Sequence, residues 1–387
     1  MSHVNKEPQQ YFLAFDLVRV VAALLVLLNH FAAFPLNMPR ITVGTDAAFP
    51  FLSAFGGIGA VGVEIFFVIS GFVIAASASQ GTGLRASRSF ISLRMRRIFP
   101  ALWISGVVAV LARATVGEPI QPLLLDFMRS SVLSPIGPYI DGVVWSLVVE
   151  AFFYILVSIA MLNASPKRLV YLACGIGTMS VLYNGFVAIV SFTDIVPYAE
   201  AVKAILGRFP FKVFLLTHGV FFTLGMMVWA GKSAPMKRSY IAFTALCGLA
   251  CIVELFTFTD LTPQQCIVKV ILWLVALGIL VASANERLPS ADRLSSSSKR
   301  RTRFLGALSY PLYLNHYTVG MVVSYHFAAI SDSLLRFSFC FVVVLLVSLL
   351  VLALEKRIHK AMSLKVKTRL ISAAHREGGV SELLPKR

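Results

Sequence analysis

The chain has 387 residues, of which 58% are hydrophobic and only 14% are charged. Its mean hydropathy is +0.81, whereas a soluble domain has roughly 45–50% apolar and about 25% charged residues, so this composition excludes a water-soluble globular protein. A net charge of +17 would indicate nucleic-acid binding in a soluble protein, but basic residues in short loops also orient membrane helices, and we expect no nucleic-acid partner.

Apolar runs of the length that a membrane-spanning helix needs, about 20 residues, recur along the chain. They predict an all-α, polytopic membrane protein with about ten transmembrane helices. The first run contains Arg19 and is too long for the apolar core of a signal peptide, so we expect no cleaved signal. The predicted spans lie near residues 12–34, 58–78, 98–113, 143–162, 169–192, 211–231, 239–259, 266–284, 305–328 and 335–355.

The distribution of basic residues predicts how these helices are oriented. With both termini in the cytoplasm, 26 of the 35 Lys and Arg residues fall in inner segments, which is the bias expected for cytoplasmic loops. The chain is therefore predicted to consist of a cytoplasmic N-terminal tail (1–11), a transmembrane domain (12–355) and a basic cytoplasmic tail (356–387). Membrane lipid is its expected surrounding.

The first predicted span carries ionisable residues, which are costly in hydrocarbon and therefore candidates for function. Arg19 and His30 are eleven residues apart, close to three helical turns, so both project from one face, separated by a rise of about 16 Å. Asp16 is one turn from Arg19 and is expected to neutralise it. The alternative is a structural Arg–Asp pair with a hydrogen-bonded histidine that takes no part in chemistry.

The second and third spans add further polar positions. Glu64 lies near the predicted outer end of the second span, and Ser70 lies in its middle. Arg94 and Arg97 have a spacing of i, i+3 at the predicted cytoplasmic end of the third span. Two arginines so placed suit a phosphate group, although arginines beside a helix end are also an ordinary topology signal.

In the fourth span, Ser146 and Glu150 share one helix face and follow Trp145. This span runs inward from the outer surface, so Glu150 is predicted to lie at about the depth of His30. A carboxylate beside an imidazole orients it as a general base. A structural pair without chemistry is the alternative.

The ninth span contains Tyr313 and His316, following Pro311, which is expected to break the helix where a pocket opens. A lone buried histidine is more often a hydrogen-bonded core residue than a ligand, so this position alone decides little.

We predict no metal site, because His30, Glu150 and His316, which carry metal-ligating side chains, lack a recognised metal-binding spacing. The cysteines contain no CxxC pair and are expected to be packing residues. His218 and His326 are assigned no role.

Five segments together resemble the acyltransferase-3 family of integral membrane acyltransferases. They occur in the family's order, and the resemblance extends across all ten predicted spans. In the first segment, the position where the family usually has a glycine, between a leucine and the arginine, is Val18 here. A change at this position removes no polar group. The matching segments are FDLVRVVAALLVLLNHF (15–31), GVEIFFVISGFVI (62–74), RMRRIFPALW (94–103), WSLVVEAFFYIL (145–156) and LSYPLYLNHYTV (308–319).

The resemblance implies an O-acyltransferase in the bacterial cytoplasmic (inner) membrane. Such an enzyme moves an acyl group, usually acetyl, from cytoplasmic acyl-CoA to a hydroxyl of a glycan or glycolipid at the outer side. Acyl-CoA is then a co-substrate, and no permanently bound cofactor is expected. Carried over by position, the catalytic residues are His30 and Glu150, the acyl-CoA-binding residues are Arg19, Arg94 and Arg97, and the supporting or substrate-binding residues are Glu64, Ser70, Trp145, Ser146, Tyr313 and His316.

The residue pattern is compatible with two mechanisms and with two other functions. His30 either deprotonates the acceptor hydroxyl or forms a covalent acyl intermediate. Intramembrane His, Arg and Glu also suit a proton-coupled transporter, although no inverted repeat is visible. A non-catalytic partner of a glycan-synthesis complex is the third possibility. The sequence leaves the acceptor, the acyl group and the oligomeric state undetermined.

Overall fold

The computed structural model describes residues 13–32, 49–193, 195–233, 235–257, 259–287 and 295–378, with side chains given as far as residue 362. The regular structure within these residues is entirely helical, which confirms the predicted fold class. Two short 3₁₀ helices, Pro50–Phe55 and Ile58–Ala60, precede the second long helix. The α-helices are α1 (Leu13–Ala32), α2 (Val61–Ala78), α3 (Gly83–Thr115), α4 (Ile120–Ser131), α5 (Val144–Ala160), α6 (Arg168–Phe192), α7 (Ala199–Leu206), α8 (Phe209–Val213), α9 (Gly219–Ser233), α10 (Arg238–Phe256), α11 (Pro263–Ala284), α12 (Ser296–His326) and α13 (Ser333–Gly378).

Every predicted span coincides with helical structure in the described residues, which confirms a helical, polytopic membrane protein. The number of spans and the sides of the termini stay predictions. The predicted tail 1–11 lies outside the described residues, and the tail 356–387 is described only as far as Gly378, where α13 ends. Within the described residues, seven segments are long and apolar enough to cross a membrane: Leu13–Ala32, Ile58–Ala78, Gly83–Thr115, Arg168–Phe192, Arg238–Phe256, Pro263–Ala284 and Ser333–Met362.

The outer surface of the helical bundle suits a lipid environment. Large apolar side chains project from it, with Leu111 62% exposed, Leu182 68% exposed and Leu346 59% exposed. The second span is different, because 83% of its apolar window is buried inside the protein, against 28–44% for the other six. The α2 helix is therefore the central helix around which the others pack.

Helices α1 and α12 run parallel and in close contact. A Cβ at Gly306 would lie 2.5 Å from Cγ of Asp16, and one at Gly320 would lie 2.5 Å from Cε1 of Phe31. Contacts therefore advance together along both helices, as expected if both start on the same side of the membrane. Small residues permit this approach of two membrane helices.

The α2–α9 contact is tighter, because backbone meets backbone. A Cβ at Gly225 would overlap the carbonyl oxygen of Val68, and one at Gly71 would overlap that of Phe222. By contrast, a Cβ at Gly248 of α10 would meet nothing within 4 Å. The first two glycines are thus required for packing, and the third is not.

Three local expectations are corrected. The predicted helix 211–231 is interrupted between α8 and α9, where Leu215 adopts φ +60°. Pro311 lies inside a continuous α12 and does not break it. Its missing N–H leaves the carbonyl of Ala307 without a helical donor. The helix that contains the third span begins earlier than predicted, at Gly83, because the basic stretch before the span is also helical.

We expect Gly225→Ala to destabilise the protein, since overpacking of a tight contact costs typically ~1–3 kcal/mol. The measurement is the unfolding temperature and the monodisperse fraction of the purified protein in detergent. Gly248→Ala is the matched control and should leave both unchanged. Equal behaviour of the two variants would show that the α2–α9 approach does not limit stability.

Candidate active site

Two histidines from different helices form a hydrogen-bonded pair. His30 lies in the last turn of α1, and His316 lies in α12. Nδ1 of His30 is 2.8 Å from Nε2 of His316, and the rings stack with their centroids 5.0 Å apart. His316 is fully buried, whereas His30 retains partial exposure. Any reacting group from outside the helices therefore meets His30 first.

The hydrogen bonds of His316 fix the protonation pattern of the neutral pair. Its Nδ1 lies 2.8 Å from the carbonyl oxygen of Tyr313 and 3.2 Å from that of Leu312. Carbonyls only accept, so Nδ1 carries the proton and donates it. Nε2 of His316 then accepts from Nδ1–H of His30, which leaves the lone pair of the His30 Nε2 available. No described residue hydrogen-bonds to that nitrogen, so it is the basic atom of the pair.

The predicted pairing of Glu150 with His30 is wrong. Oε1 of Glu150 accepts hydrogen bonds of 2.6 Å from the Ser70 hydroxyl and of 2.6 Å from the Tyr154 hydroxyl. The Ser70 bond ties α5 to α2, and the described residues include no hydrogen bond between Glu150 and either histidine. His316 instead orients His30, a contact that sequence distance concealed because the two residues are 286 positions apart.

A cavity of about 350 Å³ lies between α1, α2, α3, α5, α12 and α13. Its walls are largely apolar, and its polar groups come from all six helices. The residues that sequence analysis missed here include Tyr154, Tyr310 and Lys356; the two tyrosines gave no charge signal, and Lys356 was assigned to a tail. The predicted site residues that line the cavity are Arg19, Ser70, Arg94, Arg97, Ser146, Glu150 and Tyr313.

One end of this cavity is basic. Arg19 forms a 3.3 Å ion pair with Asp16, as predicted. Arg94 is partly buried, and its Nε has no hydrogen-bond partner. Arg97 is exposed at the same end. Unpaired guanidinium groups at the mouth of a cavity favour an anionic ligand such as a phosphate.

An open groove continues from the basic end. It has a volume of about 820 Å³ and shares Ala307 and Lys356 with the cavity. Phe304 also lines the groove, and Nζ of Lys356 lies 5.2 Å from the centroid of the Phe304 ring. The arginines of the groove are Arg300, Arg301 and Arg303.

The other end of the cavity is closed by a hydrogen bond. The Tyr313 and Ser146 hydroxyls lie 2.7 Å apart, joining α12 to α5. Phe66 packs edge-on against the Tyr313 ring at 5.7 Å. The His316 ring is 5.8 Å from the Tyr313 ring, and Tyr313 lines the cavity whereas His316 does not. Tyr313 therefore lies between the cavity and the histidine pair.

Two predicted site residues lie elsewhere. Glu64 belongs to a buried cluster with His218 and Glu254, outside the cavity lining. The Trp145 ring packs 5.5 Å from the His218 ring, and Nζ of Lys212 lies 5.1 Å from the Trp145 centroid. Sequence analysis assigned no role to His218, because an isolated histidine carries no pattern.

Comparisons with known proteins agree with the motifs. The acyltransferase-3 family model, described as an acyltransferase domain, matches residues 12–353. An O-acetyl transferase of Shigella phage Sf6 is 30% identical over 165 residues, which are 38% of this chain and 45% of that relative, so the match spans less than half of the relative's length. No solved structure matches the chain. The family match confirms the resemblance and the prediction of an acyltransferase.

Proposed function

The chain belongs to the acyltransferase-3 family, and from this membership we propose that it transfers an acyl group from cytoplasmic acyl-CoA to a hydroxyl at the opposite side of the membrane. Acetyl is the proposed group, and the acceptor is a glycan or glycolipid. The proposed location is the bacterial inner membrane. Acyl-CoA is a co-substrate in this proposal, and membrane lipid surrounds the helices.

The observation that carries the proposal is the alignment of a basic cavity with an imidazole base. Arg94 and Arg97 mark one end of the cavity, and Tyr313 at the other end is in ring contact with His316. His316 in turn holds His30. Acyl-CoA has the same polarity, with a highly charged nucleotide at one end and a reactive thioester at the other.

The two ends of acyl-CoA have different requirements in a membrane. Its phosphates are too charged to enter hydrocarbon, so they stay at the cytoplasmic surface, where Arg94, Arg97 and Lys356 bind them. The groove lined by Arg300 and Arg301 extends that basic surface and suits the nucleotide phosphates. The long and uncharged pantetheine arm fits the apolar cavity and carries the thioester inward.

The proposed chemistry uses the free nitrogen of His30. Nε2 removes the proton from the acceptor hydroxyl as its oxygen attacks the thioester carbonyl carbon. The carbon–sulfur bond then breaks, and the proton on Nε2 passes to the departing CoA thiolate. Through its hydrogen bond, His316 keeps Nδ1–H of His30 oriented and stabilises the imidazolium, the role of a carboxylate in a hydrolase triad.

The same nitrogen also suits the covalent alternative, in which Nε2 attacks the thioester and carries the acyl group to the acceptor. Initial-rate kinetics separate the two routes, because a covalent intermediate gives a ping-pong pattern. Direct transfer requires donor and acceptor to be bound together.

Glu150 acts in this proposal as a positioning residue. Its bonds to Ser70 and Tyr154 hold the middle of the cavity wall. It also places a carboxylate among the arginines that line the cavity.

We expect His30→Ala to lower turnover about 10²–10⁴-fold, the usual contribution of general-base catalysis. The assay follows transfer of label from acetyl-CoA to envelope glycan in membranes, together with release of free CoA. His326→Ala is the matched control, since that histidine lies at the end of α12 and bonds to Thr115.

Retention of most activity by His30→Ala would refute the assignment of the base. Accumulation of a solute in vesicles without thioester consumption would refute the enzyme and favour a transporter.

The paired change Arg300→Ala with Arg301→Ala should raise KM for acetyl-CoA several-fold. Hydrogen bonds to charged groups contribute about 1.5–3 kcal/mol, and exposure reduces that figure. The KM for acetyl-pantetheine, which lacks the nucleotide, should not change. Lys237→Ala with Arg238→Ala is the control for lost basic charge at another predicted inner loop. Equal effects on both donors would place the nucleotide elsewhere.

A further inference from the structure

A second cluster of polar side chains lies outside the cavity. Glu64 comes from α2, His218 directly precedes α9, and Glu254 lies near the end of α10. Their exposed fractions are 6%, 5% and 7%, and one oxygen or nitrogen from each lies within 4.8 Å of the others. The cluster therefore joins three helices in an interior that excludes water.

The polar atoms of this cluster are not satisfied by the protein. Oε2 of Glu64, Oε2 of Glu254 and both ring nitrogens of His218 are buried without a hydrogen-bond partner. Nδ1 of His218 lies 3.0 Å from Oε1 of Glu254, the distance of an ion pair. Nε2 of His218 and the second oxygen of each carboxylate have no partner among the described residues and so are available to an ion.

The charges of the cluster also favour a cation. Two carboxylates buried together are costly unless positive charge lies against them. The buried Lys269 lies within electrostatic range of both carboxylates, but the described residues include no direct ion pair between its Nζ and either of them. An ion held between the three side chains would contact both carboxylates directly.

The segment that carries His218 is held rigidly. Ser180 of α6 donates to the carbonyl of Leu216 at 2.7 Å and accepts from the N–H of Val220 at 3.0 Å. Asn184 donates to the carbonyl of Thr217 at 2.9 Å. These bonds satisfy the interrupted backbone between α8 and α9. They therefore fix the position of the imidazole before any ligand arrives.

We propose that Glu64, His218 and Glu254 bind a divalent transition-metal ion, with zinc as the representative ion. Imidazole nitrogens and carboxylate oxygens are both zinc ligands, with bonds of about 2.0–2.2 Å. Two ligands of one ion are then at most about 4 Å apart, so small side-chain rotations close the 4.8 Å set. The ion acts as a structural tether between α2, the residue that precedes α9, and α10, and it does not depend on the proposed acyl transfer.

The test measures metal in the purified full-length protein in detergent, by elemental mass spectrometry after dialysis into metal-free buffer. We expect about one ion per chain, and rebinding of zinc after treatment with a chelator. Glu254→Gln and His218→Gln should each reduce the bound zinc at least ~10-fold. Asp126→Asn and His326→Gln are matched controls, a buried acid and a histidine outside the cluster, and should retain it.

A second measurement does not depend on the variants' folding. Zinc added to the chelated wild-type protein should raise its unfolding temperature, because a ligand that binds only the folded state stabilises it. The proposal is overturned if the wild type holds no stoichiometric metal and zinc leaves that temperature unchanged. It is also overturned if both ligand variants bind zinc as the wild type does.

Discussion

The close, parallel packing of α1 on α12 is the constraint on which the rest of the site depends. Gly306 and Gly320 remove the side chains that would hold the two helices apart. His30 and His316 face each other between these two contacts and come within hydrogen-bond distance. Because bound carbonyls fix the proton on His316, helix packing alone decides which nitrogen of His30 is basic. A shift of either helix would remove both the pairing and its chemical consequence.

The polar residues of the protein are separated into groups by the low-dielectric interior. Arginines gather at one end of the cavity, the histidine pair lies beyond its other end, and an acidic cluster joins α2 to α9 and α10. Between these groups the walls are aromatic or aliphatic, as with Phe66 and Phe67. Such separation suits the proposed reaction, in which a charged donor and a polar acceptor approach from different sides. Neither of them then has to cross the whole membrane.

Much of the architecture follows from patterns that a sequence displays. Apolar length identified the helices, and the cost of burying Arg19, Glu150 or His30 marked them as candidates before their neighbours were known. The sequence contains no comparable signal for which residues of distant helices contact each other. Glu150 and His30 were placed at one depth, but depth does not specify which face of a helix meets which neighbour, and His316 occupies the position expected for Glu150. The interruption before His218 was also missed, because its backbone is satisfied by Ser180, a residue of another helix.

The hydrogen bond between Tyr313 and Ser146 has a consequence for the cell as a whole. The proposed transfer, in which a cytoplasmic thioester meets an acceptor from the far side, carries the risk of a leak for ions. Here the cavity ends at two hydroxyls that are bonded to each other, with an aromatic ring packed against them. While that bond is in place it opposes a continuous column of water at this level. In the proposed reaction the bond has to open for the thioester to reach His30, so the barrier to ions is lifted only during transfer.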